Sequence, residues 1–356
     1  MEQKKLTGYQ QTYLDVFRIV AALLVLIGHI FSWYGITVFK NEHYYPYLQN
    51  IGVIMLFLLS GFLTAYSIEK KNIEHSYTFH TFAIYKYLRI LREYFPALIL
   101  IMIIDKISMM CNSEAYSFYS AYTPFQFLGN LLMFQGTAVN AIPGIDIIPF
   151  GSARPLWTLS IEWWFYLLFA YIYLVISNKI KIHTKKVILL VVLLIMPLEY
   201  FIGGRGNGLG LVFCLGIVGY YIYNNIDIKV SPYLFALFCM AYIIYGLVCK
   251  DAYTTLSYII MCILFSSGLK MCEYNTKKQN RNIILRFISQ STFMLYMLHY
   301  SIINVIWTMK LNLGIFTKCI LSFIVSIAVS AICFYVFGTK DWIKVIRTKL
   351  KKNNTI

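Results

Sequence analysis

The 356-residue chain is 59% hydrophobic and only 13% charged, with a mean hydropathy of +0.66 and a net charge of +16. An ordinary soluble domain carries roughly a quarter charged residues, so a water-soluble globule is excluded, and a disordered chain is excluded by the same apolar excess. The apolar stretches are long and do not alternate, which excludes barrel strands; an all-α polytopic membrane protein remains, with 30 Tyr and 26 Phe suited to bilayer interfaces.

About ten spanning helices are predicted, over residues 14–36, 51–68, 94–111, 156–177, 187–202, 208–223, 232–249, 255–272, 290–309 and 315–338. The first is too long for a signal peptide and lacks a fitting small-x-small cleavage site, so it reads as a retained span. The third is interrupted by Asp105-Lys106. Residues 111–155 form the longest stretch between spans. Within it the apolar run Phe125 to Phe134 is too short to cross and is expected to dip in or lie at the interface. The fifth and sixth spans are short, and the Gly-rich run 203–208 between them reads as a tight turn. No internal repeat or linker is seen, so residues 1–356 are expected to form one membrane domain, with spans over about 14–338 and a basic cytoplasmic tail over 339–356.

With the N-terminus placed inside, 24 of the 31 Lys and Arg and 8 of the 15 carboxylates fall on the inner side. The inner side then carries the entire +16 and the outer side none. That asymmetry puts both termini in the cytoplasm and makes the basic charge a topology signal. Nucleic acid is not needed to explain it. The eight Cys residues include no Cys-x-x-Cys and read as packing residues, and no metal site is expected.

Ionisable groups inside spans cost enough to mark function. Arg18 and His29 lie eleven residues apart in the first span, close to three helical turns, so they project from nearly one face about 16 Å apart. Asp15 precedes Arg18 by three residues and can pair with it. Glu162 is expected at the depth of His29, where a carboxylate and an imidazole could form a tuned base. His299 lies mid-span and reads as a structural hydrogen-bonding group or a site residue. Ser60-Gly61 reads as a packing notch or a ligand contact. Arg89 and Arg92, at the inner mouth of the third span, are topology charges or a phosphate clamp.

Five segments in order resemble the acyltransferase 3 family of bacterial integral-membrane O-acyltransferases, which act on surface glycans. They are Arg18 with His29; Phe57-Leu58-Leu59-Ser60-Gly61-Phe62; Arg89, Arg92 and Pro96, with Glu93-Tyr94-Phe95 intervening; the run from Trp157 through Ser160 and Glu162 to Tyr166; and Ser291, Tyr296 and His299. The resemblance implies transfer of an acyl group, most often acetyl, from cytoplasmic acetyl-CoA to a hydroxyl of a surface or exported polysaccharide. It implies a multi-pass protein of the bacterial inner (plasma) membrane. Its partners would be the bilayer, acyl-CoA, a glycan or lipid-linked glycan acceptor and glycan-assembly proteins. His29 is the expected base, with Glu162 orienting it. Arg18, Arg89 and Arg92 would hold the donor phosphates, with Ser60 and Gly61 close to the donor. Trp157, Ser160, Tyr166, Tyr296 and His299 would line the site or relay protons. A multi-span transporter or flippase of glycan precursors is the alternative reading.

Overall fold

The computed structural model describes residues 4–36, 47–72, 78–176, 184–202, 208–249, 251–273 and 282–340. All of the predicted turn at 203–208 except Gly208, and most of the basic tail, lie outside them. Among the described residues the chain is helical, with no strand. Seven helices among these residues are long and apolar enough to cross a membrane, and the chain is a polytopic membrane protein.

The helices are α1 (Gly8–Trp33), α2 (Tyr47–Asn72), α3 (Phe79–Cys111), α4 (Pro124–Leu131), α5 (Leu156–Tyr171), α6 (Thr184–Ile195), α7 (Glu199–Ile202), α8 (Leu209–Asn225), α9 (Pro232–Cys249), α10 (Thr255–Glu273), α11 (Ile283–Thr308) and α12 (Ile315–Cys333). Each predicted span has a helical counterpart, but the ends differ for physical reasons. Helix α1 starts at Gly8 because Thr7 and Gln10 form a capping box, a signal that hydropathy does not carry. The predicted fifth span is broken into α6 and α7 around Pro197. The largest difference is α3, a 33-residue helix that starts at the Thr78 cap, fifteen residues before the predicted third span. Asp105 does not interrupt it, because the carboxylate is buried and paired.

The chain divides into two compact units, Met1–His75 with Leu194–Ser289, and Ser76–Leu193 with Gln290–Ile356. In the first, α1, α2, α8 and α10 pack closely wherever glycine removes a side chain. A Cβ on Gly61 would lie 2.1 Å from the Phe213 carbonyl oxygen, and one on Gly216 would lie 2.1 Å from that of Leu58. Gly28 closes on Gln49, Gly52 on Ala21, and Gly268 on the Tyr13 ring in the same way. One end of this unit is tied by charge. Lys270, nearly buried, donates to Glu273 Oε2 (2.8 Å) and the Tyr223 carbonyl (3.0 Å), while Lys4 donates to Glu273 Oε1 (2.9 Å). The start of the chain and the C-terminal ends of α8 and α10 therefore meet, as the alternation of spans requires.

In the second unit α3 and α5 run antiparallel. Their register pairs Phe79 with Tyr171 (ring centroids 5.1 Å), Lys86 with Tyr166, and Tyr87 with Trp163 (5.5 Å). The chain between them folds back along both helices as a hairpin. Its two ends are joined by the Gly151 N–H on the Ala121 carbonyl (2.9 Å). Tyr122 reaches the Met102 carbonyl (3.0 Å) at that end, whereas Tyr94 reaches the carbonyl of Asn130 (3.0 Å) and Tyr87 that of Leu131 (2.8 Å) at the tip. Asp105 and Tyr94 are about 16 Å apart along the helix axis. The short run expected to dip in is the eight-residue α4, capped by Thr123 with Pro124 in its first turn. Buried Asn130 stitches the hairpin together, donating to the carbonyls of Gln126 (2.8 Å) and Ile148 (2.7 Å) and accepting from the Phe150 N–H (3.0 Å). Buried non-helical backbone persists only when its polar groups are satisfied within protein.

Candidate functional site

In the first unit, Arg18 and His29 lie on the single continuous helix α1, both half-buried. Asp15, one turn before Arg18, is buried, and Asp15, Arg18, His29 and Ser60 are each engaged by a neighbouring group. Gly61 lets α8 approach, since the place of a Cβ is filled by α8 backbone.

In the second unit the interhelical register decides where the Arg-x-x-Arg pair lies. It places Arg89 and Arg92, ten and thirteen residues inside α3, level with the turn Leu159–Glu162 of α5. Arg89 is exposed, whereas Arg92 pairs with Glu93 Oε1 at 2.9 Å. Glu93 is largely buried, so the acid between Arg92 and Pro96 serves as a counter-ion within the basic stripe. Around Glu162 the side chains converge. Tyr166, one turn on, donates its hydroxyl to Glu162 Oε1. Lys86 of α3 places its ammonium 3.5 Å from the centre of the Tyr166 ring. Thr158, one turn before Glu162, is bonded hydroxyl to hydroxyl with Tyr296 of α11, and Tyr296 lies within electrostatic reach of Glu162. His299 is buried one turn further along α11, its Nδ1 2.9 Å from the Leu295 carbonyl.

Ser160 faces elsewhere. It donates to the Met133 carbonyl at 2.6 Å, and the Trp164 indole donates to the same oxygen at 2.8 Å. Met133 is buried at the hairpin tip with φ +61°, a left-handed backbone that non-glycine residues adopt at a cost. Trp157 is half-buried and engaged by a neighbouring group. Glu162, Tyr166 and Tyr296 are thus brought into one neighbourhood, Ser160 is turned to the hairpin, and His29 with Arg18 belongs to the other unit.

A second polar cluster in this unit escaped the sequence reading. Asp105 accepts two hydrogen bonds from Ser152, and Ser152 and Ser301 are bonded through their hydroxyls at 2.7 Å. Tyr116, in the stretch beyond α3, is buried beside it. Burial first, and the Asp105 charge second, push the Tyr116 phenol well above its ordinary value. Asp105 was legible as a charge inside a span, but nothing local announces Ser152.

An acyltransferase-domain family matches residues 11–338 of the chain. No curated protein and no solved structure matches it.

Proposed function

The chain belongs to the acyltransferase 3 family and is a multi-pass membrane acyltransferase, and from that premise we propose that it moves an acetyl group from cytoplasmic acetyl-CoA to a hydroxyl of a surface or exported polysaccharide. The observation that carries this reading is Arg18 and His29 on one unbroken helix, nearly in line and about 16 Å apart. Arg18 meets the anionic donor, and His29 takes the proton from the attacking hydroxyl as general base. The exposed Arg89 guanidinium, with Arg92 one turn on, suits the diphosphate and ribose phosphate of the donor. Glu162 supplies the carboxylate on which the reaction draws. As the hydroxyl oxygen bonds to the thioester carbonyl carbon, the carbon–sulfur bond breaks and the coenzyme thiolate leaves with a proton.

The basic inner loops of the sequence support termini in the cytoplasm, and the family resemblance supports a bacterial inner membrane, where the chain would act as one membrane domain on a glycan or lipid-linked glycan alongside glycan-assembly proteins. The test uses the purified protein in nanodiscs with radiolabelled acetyl-CoA and cell-envelope glycan. Label enters the glycan with the wild type. His29→Ala and Arg18→Ala each lose it about a hundredfold or more while inserting normally. Glycan movement driven by an ion gradient without acetyl-CoA would instead establish a transporter. Full activity of His29→Ala would remove His29 as the base.

A further inference from the structure

Lys86 counts in the sequence only as one more inner-side charge, yet its ammonium is turned onto a ring of the neighbouring helix. It lies seven residues inside α3, about 10 Å from the helix start. A lysine near a helix end ordinarily snorkels towards solvent. Here the ammonium instead rests 3.5 Å from the centre of the Tyr166 ring. That ring's hydroxyl donates to Glu162 one turn earlier on α5. The three groups form a line from a cation on one helix, through an aromatic face, to a carboxylate on the next. A cation over the face draws electron density from the ring and makes the phenolic O–H a stronger donor. It also fixes the ring, and so fixes which way the hydroxyl points.

We propose that Lys86 is a positioning residue, its ammonium seated on Tyr166 so that the Tyr166 hydroxyl holds Glu162 in the rotamer used in acyl transfer. The proposal rests on Glu162 serving the reaction. Lys86 itself touches neither donor nor acceptor. The nearby Arg89 and Arg92 take the donor's charge, and Glu93 balances Arg92; Lys86 is turned on α5.

Two measurements on the full-length protein in nanodiscs test it. The first needs no substrate: 3-fluorotyrosine at position 166 gives a 19F resonance that reports the ring and its hydroxyl. Lys86→Gln shifts that resonance, Lys86→Arg returns it towards the wild-type position, and Glu162→Gln shifts it as well. A resonance indifferent to Lys86→Gln overturns the proposal. The second is kinetic, with radiolabelled acetyl-CoA. Lys86→Gln lowers kcat about tenfold with KM for acetyl-CoA unchanged. Lys86→Arg recovers most of it, and Lys86→Gln costs nothing more in a Tyr166→Phe background. A rise in KM with kcat intact makes Lys86 a donor contact and overturns the proposal, as do losses that simply multiply in the double variant. A wild type that uses no acetyl-CoA refutes the functional reading instead, and the 19F response still decides the Lys86–Tyr166–Glu162 line.

Discussion

Asp105 and Ser152, 47 positions apart, are joined by two hydrogen bonds in which one serine supplies both donors. Its backbone N–H reaches Oδ2 at 2.7 Å and its hydroxyl reaches Oδ1 at 2.5 Å. Both residues are fully buried. The pair fastens the returning limb of the hairpin to α3 just before α5 begins. Asp105→Ala is expected to destabilise the protein by about 3 kcal/mol, since it removes two charge-assisted bonds and strands a buried N–H. Asp105→Asn keeps one acceptor and loses about half as much. Thermal unfolding in detergent, followed by intrinsic fluorescence, measures both, and an Asp105→Ala variant that melts with the wild type refutes the fastening role.

Gly151 completes that joint. Its φ is +56°, and a Cβ there would lie 2.0 Å from Asp105 Oδ2. Gly151→Ala therefore combines left-handed strain of about 1 kcal/mol or more with a collision against the carboxylate. The expected result is faster chymotryptic cleavage between α3 and α5, a stretch rich in Tyr and Phe, visible on gels of reconstituted protein. An unchanged digestion pattern means the limb is held by other contacts.

Gly61 and Gly216 let α2 and α8 touch backbone to backbone. Gly61→Val drives a branched side chain into the Phe213 carbonyl and is expected to abolish stable protein in the membrane. Gly61→Ala shows a smaller loss, because α8 can retreat by a fraction of an ångström. Membrane-fraction yield and melting temperature report the order Gly, Ala, Val. Equal yields for all three would remove the close crossing.

Ser160 separates a structural hydroxyl from a relay. Its proton is committed to the Met133 carbonyl, which the Trp164 indole also serves. Ser160→Ala is expected to cost about 1 kcal/mol of stability and to leave acyl transfer near the wild-type rate. Loss of transfer with unchanged melting would make Ser160 part of the chemistry.

Much of the helical scaffold was legible from hydropathy, because spans are long and apolar for one reason. Helix ends were not, because Thr7 and Thr78 set them by capping and hydropathy windows do not see caps. Glu162 and Tyr166 were each legible as members of one motif on one helix, but their bond to each other was not read, because Glu162 was expected to face His29. Lys86 was not legible, because its partner sits on another helix and the register of α3 against α5 is a tertiary fact. Asp105 read as an interruption for the same reason: the serine that makes it tolerable is 47 residues away. The basic pair at 89 and 92 was seen, but not that α3 begins ten residues before it, at the Thr78 cap.

The hairpin between α3 and α5 also constrains how the protein is made. Its irregular backbone is satisfied by Tyr87 and Tyr94, which precede it in the chain, and by Ser160 and Trp164, which follow. A nascent chain that has released α3 into the bilayer therefore holds a segment it cannot yet settle until α5 emerges from the ribosome. Biogenesis must shelter residues 112–155 at the translocon for that interval, and the two helices must leave the insertion machinery together.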